Sequence, residues 1–283
     1  MSADEIEKYV FDSGIPGKTL AVFGAVHGNE KCGTVAIRQA IDEGLKPARG
    51  KVIYVPICNP RAYAEDVRFI DRNLNRHLYP KDAHEAYEDS LDPLICGVLD
   101  EADILLDLHS YESQGGPFIF LGQAGEEDDF AKSLGVNDYV CGWSEAFSNS
   151  SEAGAKESIG TTEYIRSKGG IGVTLECGHH ANDDAPNVGY LAIHCALAFL
   201  ERGANPGGAS ARIVKMKTVF YKEREGEWAK SWKHYDEVKA GEVMAKYADG
   251  EEIVAPEDGF IVLPKAAPVL GGEWFYFGVG LQS

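Results

Sequence analysis

Leu20-Ala21-Val22-Phe23-Gly24-Ala25-Val26-His27-Gly28-Asn29-Glu30 is the stretch on which the reading of the fold turns. From Leu20 to Val26 every residue is apolar or glycine, the pattern of a strand buried on both faces. A glycine-containing turn leads into Glu30 to Glu43, where Val35, Ile37, Ala40 and Ile41 recur at helical spacing and are expected to face inward. A strand that feeds a helix opens an α/β unit. In such sheets ligands bind in the crevice beyond the strands' C-terminal ends, and His27 and Glu30 stand at that place.

Working outward, strands are expected over Lys51 to Cys58, Asp103 to Leu108, Phe118 to Leu121 and Ile171 to Cys177. Between the first two lie a long polar loop, Asn59 to Pro80, and a helix, His84 to Glu101, which Pro93 should kink or divide. Asn187 to Arg202 reads as a helix with Pro186 and Gly203 just outside its ends. This alternation predicts an α/β fold with a mixed, mostly parallel sheet flanked by helices. Gly203 to Ser210 is linker-like, and beyond it the periodicity becomes that of short strands: Ala211 to Tyr221, Glu242 to Tyr247, Gly259 to Leu263 and Glu273 to Val279. The expected organisation is a catalytic domain over residues 1–204 and a small, barrel-like C-terminal β domain over 205–283.

The 283 residues carry a net charge of −18, which disfavours nucleic acid and anionic membrane surfaces as partners. No apolar run approaches the roughly 18–20 residues of a membrane span, and the acidic, polar start is unlike a signal peptide. Six cysteines without a Cys-x-x-Cys pair read as small buried hydrophobes of a reduced, cytoplasmic protein. The run Glu126-Glu127-Asp128-Asp129 reads as a solvated face. Whether the chain forms a homo-oligomer is left open.

Four constellations carry chemistry. His27 and Glu30 are spaced to meet one ion, imidazole nitrogen and carboxylate oxygen both being suitable zinc ligands; the alternative is a Glu30 that caps the helix. His109, after Ile104-Leu105-Leu106-Asp107-Leu108, stands on the same rim, and three protein ligands leave a fourth position for water, the composition of a catalytic zinc site. Asp107 is either a partner of His109 or turned away by strand alternation. Between Arg61 and Arg76 four arginines (61, 68, 72, 76) face three acidic residues, a local +1 in an acidic chain. That points to an anion pocket, since arginine's fork matches a carboxylate; pairing with nearby aspartates is the competing reading. Glu176 ends an apolar strand, where a carboxylate is costly to bury unless compensated. Beside a polarised water it would accept a proton and return it to a leaving group; a buried salt bridge is the alternative.

Taken together and in this order, from Leu20 to Gly178, these motifs resemble the succinylglutamate desuccinylase/aspartoacylase family of the zinc carboxypeptidase superfamily. The resemblance implies a zinc carboxypeptidase-like fold, one Zn2+ per chain held by His27, Glu30 and His109, and Glu176 as general base and acid. It implies Arg68 as the group polarising the scissile carbonyl, Asn75 and Arg76 as holders of a substrate carboxylate, and Arg166, ten residues before Glu176, as holder of a further acidic group. The implied reaction is deacylation of a small anionic N-acyl amino acid, such as N-acetylaspartate or N-succinylglutamate. A metallocarboxypeptidase or esterase would use the same zinc site, and a non-catalytic metal- or ligand-binding module is the reading from another class. Two features depart from the family pattern: Asn73 stands where an acidic residue often precedes Leu-Asn-Arg, and no C-terminal counterpart is found for a tyrosine that some aspartoacylases contribute.

Overall fold

In the computed structural model, which describes residues 5–81, 83–122, 125–148, 159–203 and 211–281, the opening stretch forms strand β2 (Thr19–Gly24). β2 is buried throughout and leads through the His27 turn into helix α1 (Cys32–Asp42). The described residues group into two compact units, one within 1–110, 117–137 and 157–209, the other within 111–116, 138–156 and 210–283. Residues 111–116 and 138–148 join the second unit, although a division at 204/205 would leave them in the first. Residues 204–210, most of the expected linker, lie outside the described set.

The first unit is a sheet in the order β1-β3-β2-β4-β7-β5, with β1 (Tyr9–Asp12), β3 (Lys51–Val55), β4 (Ile104–Tyr111), β5 (Phe118–Phe120) and β7 (Ile171–His179). β2 pairs in parallel with β3 and β4, while β1 and β5 run antiparallel to β3 and β7. The fold class is the mixed α/β one expected. The edge strand β1 was not expected, because its four residues, Tyr-Val-Phe-Asp, are too few for a strand pattern to stand out.

Helix α1 packs on α7 (Ala185–Arg202), and its inner face is Gly33, Ala36, Ile37 and Ala40. Val35, expected inside, is half exposed. The small residues set the face because the helices approach closely: a Cβ on Gly189 would lie 3.1 Å from that of Ala36. α7 begins two residues earlier than expected and takes Pro186 into its first turn, where the missing N–H has no intrahelical partner to lose.

The polar loop contains a one-and-a-half-turn helix, α2 (Pro60–Glu65), capped by Asn59 and ended by Asp66 in the left-handed region. α3 (Tyr87–Asp100) is undivided despite Pro93 inside it. Its apolar face joins a core that includes Phe23, Ile53, Leu74, Leu91, Leu99, Leu105 and Ile165. The acidic run forms α4 (Glu126–Ser133), and there the expected solvated face is broken: Glu127 is 3% exposed. A short helix α6 (Thr161–Ser167) precedes β7.

The second unit is all but β. β6 (Asp138–Cys141) lies parallel to β8 (Arg212–Tyr221), and β14 (Glu273–Leu281), β13 (Gly259–Val262) and β10 (Glu237–Val238) follow in antiparallel order. A second sheet holds β12 (Glu252–Val254), β11 (Val243–Tyr247) and β9 (Gly226–Trp228). An aromatic core of Trp232, Trp274, Phe275 and Phe277 with Met244 and Ile261 supports this small C-terminal β region. Helix α5 (Trp143–Ser148) belongs to it as well. Among the described residues, no helix is long and apolar enough to cross a membrane.

Candidate metal and catalytic site

The strand-to-helix turn after β2 is held so tightly that only glycine fits at 28. A Cβ there would lie 2.1 Å from the Ala62 carbonyl carbon and 2.3 Å from Tyr63 N, both backbone atoms of α2. Gly28 N–H also donates to Arg68 O at 3.1 Å, so the turn and the arginine loop are fixed to one another. Ala25, two residues before His27 and at φ 47°, takes the left-handed region that non-glycine residues rarely occupy.

Glu30 does not cap α1, whose start has no side-chain cap. Its carboxylate is 2% exposed and faces both imidazoles. Oε1 lies 2.9 Å from His27 Nδ1 and accepts from Arg68 Nη1 at 2.8 Å. Oε2 is 2.7 Å from His109 Nδ1 and accepts from Ser110 N at 3.3 Å. Burial pushes the Glu30 carboxyl upward, but His27 and His109 overcome it and hold it well below the usual range. Burial also opposes charge on His109, yet Asp107 and Glu30 raise its pKa well above that of a free imidazole. His27 moves the other way, to about 4, through burial and the nearby Arg68 charge.

Asp107 and His109, two apart on β4, share a face, which resolves the question of alternation. Asp107 Oδ2 lies 3.0 Å from His109 Nε2, off the ideal hydrogen-bond direction, and accepts from Thr161 Oγ1 at 2.5 Å. Thr161 N in turn donates to Asn75 Oδ1 at 2.8 Å. His27 is backed by Asn73, whose Oδ1 is 3.0 Å from Nε2.

Both imidazoles thus turn Nδ1 to one buried carboxylate and Nε2 to an acceptor. His27, Glu30 and His109 are the group, among the described residues, whose donor atoms all lie within 4.8 Å of one another. His27 Nδ1 is buried 2.9 Å from Glu30 Oε1 but outside hydrogen-bond direction. Borderline-soft nitrogen donors and one carboxylate oxygen suit zinc, and the residues present fit the ion.

Glu176, on β7, is 9% exposed, with Oε2 buried and lacking a hydrogen-bond partner. Burial first, and the Glu30 charge second, push its pKa up to about 8. No arginine salt bridge holds it among the described contacts, contrary to the alternative weighed for it.

The arginine loop divides. Arg72 Nε meets Asp89 at 2.7 Å and its Nη2 meets Asp92 at 2.5 Å, while Arg61 stacks on the Tyr87 ring at 4.5 Å. These two hold structure. Glu88, fully buried in the first turn of α3, accepts from the backbone N–H groups of Ile70 (2.7 Å), Asp71 (3.1 Å) and Arg72 (3.1 Å), and from Asn59 Nδ2. The loop is thereby clamped to α3. Arg68 remains at the rim of the metal cluster with its side chain 45% exposed. Arg76 is half-buried and donates to Asn75 O at 2.7 Å.

Arg166, expected to hold a further acidic group of the substrate, is engaged by protein partners. Its Nε and Nη2 form a fork on Glu127 (2.8 and 3.0 Å), and Nη2 also donates to Gly172 O at 2.8 Å, near the start of β7. Glu176 lies four residues farther along that strand, roughly 13 Å at ~3.3 Å per residue. Sequence reasoning also missed Thr161 and Glu88: neither belongs to a motif, and their partners lie 54 and 16–18 residues away.

Residues 16–183 match the succinylglutamate desuccinylase/aspartoacylase catalytic domain as a family. Among curated relatives, the chain is 30% identical over 117 residues to an aspartoacylase of Danio rerio, 37% of either protein. It is 29% identical over 126 residues to a probable aspartoacylase of Nostoc sp., 41% of this chain and 42% of that one. The matched part therefore spans well under half the length of these relatives. Among solved structures, a succinylglutamate desuccinylase/aspartoacylase from Rhodobacter sphaeroides superposes with a TM-score of 0.77 at 20% identity, covering 98% of this chain and 90% of the other. The product-bound ectoine utilization protein EutE (DoeB) from Ruegeria pomeroyi gives 0.73 at 19% identity, covering 97% and 88%. At these identities the likeness is one of fold.

Proposed function

Because this chain belongs to the succinylglutamate desuccinylase/aspartoacylase family, we propose that it is a zinc-dependent hydrolase that cleaves the amide of a small, carboxylate-bearing N-acyl amino acid. The observation that carries the reading is the convergence of two imidazole Nδ1 atoms on one buried carboxylate, with an unpartnered carboxyl, Glu176, raised in pKa by burial and by that same carboxylate.

His27, Glu30 and His109 would hold a zinc ion, which would supply Lewis acidity toward a carbonyl and toward water. Glu176 is the base: once the charge of Glu30 is balanced, part of what raises its pKa is removed, and it takes the form that accepts a proton. A carboxyl whose pKa lies near the working pH also gives the proton back readily, here to the leaving nitrogen. Arg68 stands at the rim of the cluster as a cation for the oxygen on which charge grows, a contribution of about 3–4 kcal/mol when such a donor is well placed. Asn75 and Arg76 lie on the clamped loop and are proposed to meet the substrate carboxylate. Thr161 fixes Asn75 against Asp107 and so holds recognition and metal-binding residues in one network. With Arg166 engaged by Glu127, the described arginines proposed to meet substrate are Arg68 and Arg76, which favours substrates with few acidic groups.

Glu176→Gln tests the reading. The variant should keep bound zinc and lose about 10²–10⁴ in rate on a panel of N-acetyl and N-succinyl amino acids. Wild-type turnover in this variant would remove Glu176 from the chemistry, and activity confined to peptides or esters in the parent enzyme would replace the substrate class.

A further inference from the structure

The two imidazoles of the cluster are backed by different chemistry. Asn73 Oδ1 lies 3.0 Å from His27 Nε2 and 2.9 Å from Asn75 N. A backbone N–H only donates, so the atom it meets is the amide oxygen and not the amide nitrogen. That oxygen accepts from His27 in turn. The proton of His27 therefore sits on Nε2, and its lone pair on Nδ1, toward Glu30. His109 instead turns Nε2 to a carboxylate, Asp107.

A carboxylate behind an imidazole both orients it and makes it a more basic ligand; an amide orients without adding charge. The surrounding charges explain what a neutral group achieves here. Glu30 stands between both imidazoles, Asp107 stands behind His109, and Arg68 meets Glu30. A further carboxylate at 73 would add negative charge behind His27 as well and would bind a divalent cation more firmly.

We propose that Asn73 is a positioning residue that sets how firmly the His27–Glu30–His109 cluster holds a divalent metal, fixing the His27 tautomer while keeping the site exchangeable on that side. The inference rests on the metal reading of the cluster. Asn73 also ties that setting to substrate recognition, since the same oxygen holds the backbone of Asn75.

The test is metal affinity, measured without substrate. Full-length wild type, Asn73→Asp and Asn73→Ala would be stripped with a chelator and titrated with Zn2+ against a chromophoric competitor, with the visible spectrum of Co2+ as a second readout. Asn73→Asp preserves the acceptor oxygen and the shape and should tighten zinc by about tenfold, whereas Asn73→Ala should weaken it by about 10–100-fold, the usual scale for groups that orient metal ligands. An Asn73→Asp protein that binds no tighter than wild type overturns the assignment. So does a folded Asn73→Ala protein that binds as well as wild type; if that variant does not fold, the isosteric Asn73→Asp decides alone. A wild-type chain that takes up neither Zn2+ nor Co2+ overturns the metal reading itself, which separates the two failures.

Discussion

An Arg166→Met variant would remove the two parallel bonds that now fork onto the buried Glu127 carboxylate, at 2.8 and 3.0 Å, and the bond to Gly172 O at 2.8 Å, while Gly172 N still donates to Glu127 at 3.2 Å. The Arg166 side chain is only 16% exposed, so solvent screens this pair little. Removing one partner of a buried ion pair costs about 3–5 kcal/mol, mostly because the other charge is left uncompensated. At roughly 2–4 °C per kcal/mol for a unit of this size, Tm should fall by on the order of 10 °C. Glu127→Gln in the same background removes the stranded charge, so the double variant should be less destabilised than the sum of the singles. Thermal unfolding of the four proteins measures the coupling, and KM for an N-acyl amino acid is expected to stay within about twofold of the parent, because a residue outside the site contributes no uniform binding. An unchanged Tm together with a KM raised tenfold or more would refute the structural role and return Arg166 to the substrate.

Gly28→Ala should be damaging out of proportion to its size. The added carbon meets α2 backbone at 2.1–2.4 Å, so the turn or the helix must move by about 1 Å; expected losses are about 1–3 kcal/mol in stability and about 10² in rate, and parent-like melting and turnover would show the turn to be pliable. His234, in the second unit, is 5% exposed, and burial, then Arg212, push its pKa down to about 3. The unfolded imidazole titrates near 6.5, so below that pH the unfolded chain takes up a proton that the folded one does not. Stability should therefore fall with pH from about 6.5 toward 3, with His234 adding on the order of 1.4 kcal/mol per unit. Urea unfolding between pH 7 and 4 should show a shallower decline for His234→Gln, and an identical slope would exclude His234 as a source.

What could be read from residue order was whatever local spacing dictates. The His27-Gly28-Asn29-Glu30 turn, His109 following an apolar run, and Glu176 on an apolar strand each place a side chain by neighbours within a few residues, whereas local spacing leaves the direction of Asp107 open. Where a partner is distant, residue order does not show it. Arg166 sits ten residues before Glu176, but its direction was decided by Glu127, 39 residues away, inside a run that looks solvated because four acids stand together. Of the arginine loop, Arg72 pairs with aspartates, as the pairing reading expected, while Arg68 reaches Glu30 of the cluster, 38 residues away, a partner that local spacing does not show. Val35 faces out for a related reason, because helix periodicity reports a stripe but not which stripe a small-residue neighbour will prefer.

The Glu88 clamp divides the recognition loop into parts with different tolerance for change. Backbone amides, not side chains, are what it grips at 70–72, so sequence drift in the segments on either side need not disturb the anchorage. Side chains beside the clamp that meet solvent, such as Val67 and Phe69, are free to vary as though exchanging tools in a fixed chuck, while Arg68, Asn75, Arg76 and the buried Leu74 and Leu78 are not. One buried glutamate is what makes that exchange safe.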